Sequence, residues 1–184
     1  MVKNKLDKIS EEIAVCMKCR LQKNRNNTVP GEGPTNAKIM FIGEAPGKNE
    51  DLTGRPFIGR AGKLLDELLK ISNLERKDVF ITSVIKCRPP NNRKPKSDEL
   101  NICINEWMHK QIKEINPKII VILGGVALKN LLDINKIKEH HGKIINHNNK
   151  DYFITYHPAA GLRFPSIKDI LKQDFENLGK IIIN

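Results

Sequence analysis

The chain has 184 residues, 39% of them hydrophobic, which is enough for one domain with a substantial core. Its 32 Lys and Arg against 21 Asp and Glu give a formal charge of +11, which favours a polyanionic partner, nucleic acid before an anionic membrane surface. No apolar run approaches the roughly 18 residues of a membrane span, and a soluble, cytoplasmic, monomeric protein is expected.

The N-terminal "MVKNKLDKISEEIAVC" is an amphipathic helix pattern without a signal-peptide core. Four short apolar runs follow: 38–43 (KIMFIG), 79–85 (VFITSVI), 118–124 (KIIVILG) and 151–157 (DYFITYH). Each is too short for a helix, and the first three read as strands buried on both faces. Helical patterns separate them: 60–73, with Leu64, Leu65, Leu68 and Leu69 on one face; 97–115, opened by the cap-like "SDEL"; 126–134; and a last amphipathic stretch, 167–182. This alternation predicts an α/β protein, a single-domain αβα sandwich around a central, mostly parallel sheet of four strands. The sequence holds no internal repeat, linker or low-complexity segment.

In such folds ligands bind beyond the carboxyl ends of the strands. The four runs end in "GEAPG", "KCRPPNNRKP", "GG" and "HPAAGLRFP", so four Gly-, Pro- and polar-rich loops are expected to converge on one mouth. A nucleotide site is disfavoured. "GRAGKLL" lacks the Ser or Thr after Lys63 that a P-loop needs, and "GEAPG" lacks the G-x-G-x-x-G fingerprint.

Cys16 and Cys19 form a C-x2-C pair, whereas Cys87 and Cys103 have fifteen residues between them. Disulfides are disfavoured in a reducing cytoplasm. Four thiols with none left over point instead to a tetrathiolate centre, zinc or an iron–sulfur cluster. Structural zinc often uses two C-x2-C knuckles. The loose second pair tilts the reading to iron–sulfur, with zinc as the alternative.

Taken together, "GEAPGKNEDLTGRPFIGRAG", "KCRPPNNRKP", "HPAAGLR" and the order of the four cysteines resemble the family 4 uracil-DNA glycosylases, iron–sulfur enzymes of archaea and bacteria. The resemblance covers nearly the whole chain. It implies a four-stranded αβα sandwich, a [4Fe–4S] cluster on Cys16, Cys19, Cys87 and Cys103, and excision of uracil from DNA with no metal in the chemical step. Such an enzyme extrudes the base, holds it in a tight pocket and breaks its N-glycosidic bond. His157 is then expected to donate, as a neutral imidazole, to uracil O2, and Glu44, or a water it holds, to face the sugar. Gly43 and Ala45 belong to a pocket wall whose backbone reaches the base. Phe57 offers a ring for stacking, Glu50 borders the same site or orders its loop, and Asp51 orders the loop. Arg88, Arg93, Lys94, Lys96 and Arg163 are expected on DNA phosphates.

Two positions depart from the family. "TSVIKC" carries Ser83 where relatives usually have an asparagine that reads uracil O4 and N3, so base discrimination rests on a shorter hydroxyl. Gly161 replaces a bulkier apolar residue, which makes Leu162 the expected wedge into the base stack. A related glycosylase of altered base specificity, and a lesion-binding protein without catalysis, remain the alternative functions.

Overall fold

Successive side chains of a strand point to opposite faces, and β1 (Ile39–Gly43) is buried on both. Met40 and Ile42 enter one core with Ile120, Ile122 and Ile154, whereas Ile39 and Phe41 enter a second with Val121, Leu123 and Phe153. A sheet apolar on both faces must be covered twice. In the computed structural model, which describes residues 4–183, α1 (Lys5–Ala14), α4 (Ser97–Cys103), α5 (His109–Ile115) and α6 (Gly125–Leu132) close the first core. Helices α3 (Arg60–Ile71) and α8 (Pro165–Ile183) close the second. The first three residues of the expected N-terminal helix lie outside the described residues.

The sheet has five strands in the order β2-β1-β3-β5-β4. β2 (Phe80–Ser83), β1, β3 (Ile119–Leu123) and β5 (Lys150–Thr155) run parallel to one another, and β4 (Ile144–His147) is an edge strand antiparallel to β5. The fifth strand corrects the expected count of four. β4 is largely exposed and has no long apolar run. Its signal is the turn instead, since Asn148 (φ 50°) and Asn149 (φ 58°) both adopt the left-handed conformation of a two-residue hairpin.

The segment 97–115 is helical throughout but carries a π-helical turn, Ile104–Met108, between α4 and α5, which apolar periodicity does not reveal. Two short helices unexpected from the sequence, α2 (Lys48–Thr53) and α7 (Pro158–Arg163), sit inside the strand-end loops. From β1 the chain passes to β2 on one side and returns to β3 on the other. That reversal opens a crevice at the carboxyl ends of the strands. Among the described residues, no helix is long and apolar enough to cross a membrane.

Candidate active site and cysteine cavity

A cavity of about 190 Å³ opens in that crevice. Ala45, Pro46, Gly47 and Glu50 line it from the β1–α2 segment, Pro56, Phe57 and Ala61 from the approach to α3, and Ser83 from the end of β2; Val29, His157 and Ala159 complete it. The volume falls below the roughly 300–1,000 Å³ of drug-sized pockets and suits one flat ring. The rings of Phe57 and His157 stack at 5.5 Å and 27°. Gly43 is needed where it stands, because a Cβ there would lie 2.5 Å from the Phe57 ring. The Glu50 carboxylate accepts from the N–H groups of Gly47 (3.0 Å), Ile58 (2.9 Å) and Gly59 (2.8 Å), so it borders the pocket while tying its two loops together. Asp51 is buried and accepts from the Asn26 N–H at 2.9 Å, an ordering role like that expected of it.

His157 lies just beyond β5, where it caps α7. Its Nδ1 accepts the Ala159 N–H at 3.1 Å. With Nδ1 an acceptor, the proton of the neutral ring resides on Nε2. Burial pulls the pKa from 6.5 to about 4, against the opposing charge of Glu50. The ring is therefore an uncharged donor at neutral pH.

A wider groove of about 570 Å³ shares Ala45, Pro46, Gly47, His157 and Ala159 with the pocket and adds Glu44, Arg60, Pro89, Asn92, Arg93 and Arg163. Burial holds the Glu44 carboxyl above its ordinary pKa, with the charge of Lys94 acting in the opposite sense. Arg93 makes two bonds to the fully buried Glu99 (2.9 and 2.6 Å), and the Lys96 N–H donates to the same carboxylate at 2.8 Å. Arg88 donates to Asn92 Oδ1 at 2.7 Å. Arg60 and Arg163 are exposed on the groove, and Lys94 and Lys96 are exposed beside it. Leu162 (47% exposed) and Phe164 (52%) project on either side of Arg163. Gly161 faces inward, where a Cβ would meet Leu171 at 2.7 Å, so that position carries no wedge.

On the other face of the sheet, Cys16, Cys19, Cys87 and Cys103 line one small cavity with Ile13, Arg25, Lys86 and Trp107. Cys16 follows α1, Cys19 precedes a 3-10 turn (Arg20–Lys23), Cys87 follows β2 and Cys103 ends α4. Arg25 donates to Cys87 Sγ at 3.3 Å and to the Cys16 carbonyl at 2.7 Å, and the Lys86 N–H donates to Cys103 Sγ at 3.3 Å. Burial raises the pKa of Cys19, Cys87 and Cys103, that of Cys103 to about 12, so the thiols need a cationic partner to ionise. Among the described residues, no three His, Cys, Asp or Glu side chains form a group compact enough for one metal ion.

A family model described as the uracil DNA glycosylase superfamily matches residues 30–178. The chain is 47% identical to the type-4 uracil-DNA glycosylase of Sulfurisphaera tokodaii, over 97% of this chain and 85% of that one. It is 47% identical to the same-named protein of Saccharolobus solfataricus, over 94% and 84%, and 43% identical to that of Archaeoglobus fulgidus, over 96% and 92%. The chain belongs to the type-4 uracil-DNA glycosylases.

For this type-4 chain the structure gathers Gly43, Ala45, Glu50, Phe57, Ser83 and His157 around one pocket and sets Glu44 in the adjoining groove. Three further residues escape the sequence reading. Val29 reaches the pocket from an isolated extended segment, held by a bond from its N–H to the Lys86 carbonyl (2.7 Å), and nothing local announces it. Arg60 begins α3 directly after Gly59, a helix-start position from which its place on the groove could have been read. Phe164, in "LRFP", stands as exposed as Leu162.

Proposed function

We propose that the protein is a uracil-DNA glycosylase of base excision repair: it turns a uracil nucleotide out of single- or double-stranded DNA and hydrolyses the N1–C1′ bond, leaving an abasic site. Relatives of that name support the reading. The observation that carries it is His157, an uncharged ring whose remaining donor, Nε2–H, sits in the wall of a one-ring pocket.

As the bond breaks, its electron pair leaves with the base and positive charge grows on the sugar. A donor at uracil O2 stabilises the departing anion, and a neutral donor keeps its proton throughout. Glu44, made more basic by burial, lies on the groove side. There it positions the water whose oxygen bonds C1′ and takes the proton that water loses. Phe57 stacks on the pyrimidine, a contact worth about 1–3 kcal/mol, and the Ser83 hydroxyl contacts the base edge. Arg60, Arg163, Lys94 and Lys96 hold phosphates, while Leu162, joined by Phe164, fills the space the base leaves.

The four cysteines suit a [4Fe–4S] cluster: all four line one cavity, and the sulfurs of Cys87 and Cys103 receive N–H bonds. When bound, the cluster supplies cross-linking between α1, the end of β2 and α4. No step of the hydrolysis passes through it. Single-turnover uracil release from single- and double-stranded oligonucleotides, beside a His157→Ala control, tests the function. Release by the parent and its loss in the variant support the reading, whereas a parent inactive on both substrates overturns it.

A further inference from the structure

Phe57 is buried yet holds φ at 50°, a conformation bulky side chains avoid. Such a residue persists only where its surroundings fix it. Two features do so. Gly62 of α3 packs against the peptide so closely that a Cβ there would lie 1.7 Å from the Phe57 carbonyl oxygen. From the other side comes Arg76, in the 3-10 turn Arg76–Asp78. Its Nη1 donates to the Phe57 carbonyl at 3.1 Å and its Nη2 to the Pro56 carbonyl. The guanidinium is itself held, Nε by Glu32 at 3.2 Å and Nη1 by Asp66 at 3.0 Å. Arg55 grips the same Glu32 carboxylate at 2.7 and 2.9 Å, and the two arginines hold its pKa below the ordinary value.

We propose that Arg76 is a positioning residue for base recognition: by clamping the carbonyls of Pro56 and Phe57 it locks the left-handed turn that presents the Phe57 ring to the base. The proposal rests on the glycosylase reading of the pocket. Two carbonyls and two carboxylates around one side chain require a planar fork of donors, which a lysine ammonium does not reproduce. A surface ion pair would end at carboxylates. This guanidinium continues to the backbone of the one strained residue in the pocket wall.

The test is a double-mutant cycle on the full-length protein, with Arg76→Ala, Phe57→Ala, their combination, and Arg76→Lys. Single-turnover uracil excision, inhibition by free uracil, DNA affinity and thermal melting are read for each. Arg76→Ala is expected to slow excision and weaken inhibition by free uracil by about tenfold each, with DNA affinity within about twofold, and Arg76→Lys to recover part of both losses. In the Phe57→Ala background, Arg76→Ala should add little, because the ring it positions is gone. Full multiplication of the two losses would overturn the clamp, as would a parental rate in Arg76→Ala. Melting data cover the case of a destabilised variant, since a stability loss alone does not vanish when Phe57 is removed. A parent that releases no uracil would overturn the glycosylase reading and this role with it, whereas an active parent with multiplying losses overturns this role alone.

Discussion

A ring nitrogen that already accepts a backbone N–H resists a second proton, and for His157 burial adds to that resistance. Excision should therefore show no loss from His157 between about pH 8 and 5 and should fall as the pH approaches 4, measured as single-turnover rates. The stability effect has the same sign. The folded pKa of about 4 lies below the ordinary 6.5, so this contribution is full above 6.5 and is lost as the pH falls towards 4. His157→Ala should slow excision by about 10²–10³ with DNA affinity retained. Ser83 is buried at the end of β2, level with Gly43 in register. Ser83→Ala should cost about 0.5–1.5 kcal/mol in the barrier, one hydrogen bond, whereas Ser83→Asn should preserve or raise the rate. Single-turnover assays on U·G, U·A and single-stranded substrates check both, and an inactive Ser83→Asn would mean a pocket rebuilt around serine. His157 was legible because "HPAA" closes an apolar run. Arg76 was not, because its meaning lies in carbonyls some twenty residues away.

Helix α4 shows how an element gives a residue expected on DNA a partner inside the fold. Glu99, fully buried in its first turn, takes the Arg93 guanidinium and the Lys96 N–H. Arg93 looks in sequence like one more phosphate ligand, yet its charge is matched inside the protein. Arg93→Ala should lower the melting temperature, because it leaves the buried Glu99 carboxylate without its guanidinium partner, and leave the salt dependence of DNA binding nearly unchanged. Arg60→Ala and Arg163→Ala should each reduce the slope of log K against log salt by about 0.7–0.9 and barely alter melting. Parental slopes for both Arg60→Ala and Arg163→Ala would remove this groove from the DNA interface. Arg93 also holds the Glu99 pKa below the ordinary 4.5, so this pair stabilises the fold above that value and is lost as the pH drops through the lowered one. The core strands were readable because both their faces are apolar. β4 and the π-helical turn were not, since an exposed edge and a one-residue widening of a helix leave no apolar periodicity behind.

At the scale of the molecule, the pocket and the cysteine cavity meet along one short segment. Ser83 lines the first, Lys86 and Cys87 the second, and Val84 and Ile85 between them are buried in the core. Loop convergence on a single mouth was legible from four strange strand ends. The meeting of Cys16 and Cys19 with Cys87 and Cys103 was legible as a count of thiols and through the family resemblance, because spacing alone does not encode how the segment after α1 reaches the end of β2. Purified protein should be brown with about four irons per chain, and colourless protein with one zinc would replace the cluster. Cys103→Ser should bleach the protein and lower its melting temperature, while the fraction still folded excises uracil near the parental rate. A rate that falls in step with iron content at constant foldedness would give the cluster a part in the chemistry.

The sequence contains a single tryptophan, and the π-helical turn after Cys103 puts it in the wall of the cysteine cavity, 5% exposed, with Lys110 Nζ 5.0 Å above its ring. Indole emission from this protein thus comes from one place. A coloured centre bound in that cavity would sit beside the indole and quench its emission, and removing the centre should restore the light. The chain carries its own optical gauge of loading, readable in a cuvette without labels, and blind to events in the base pocket.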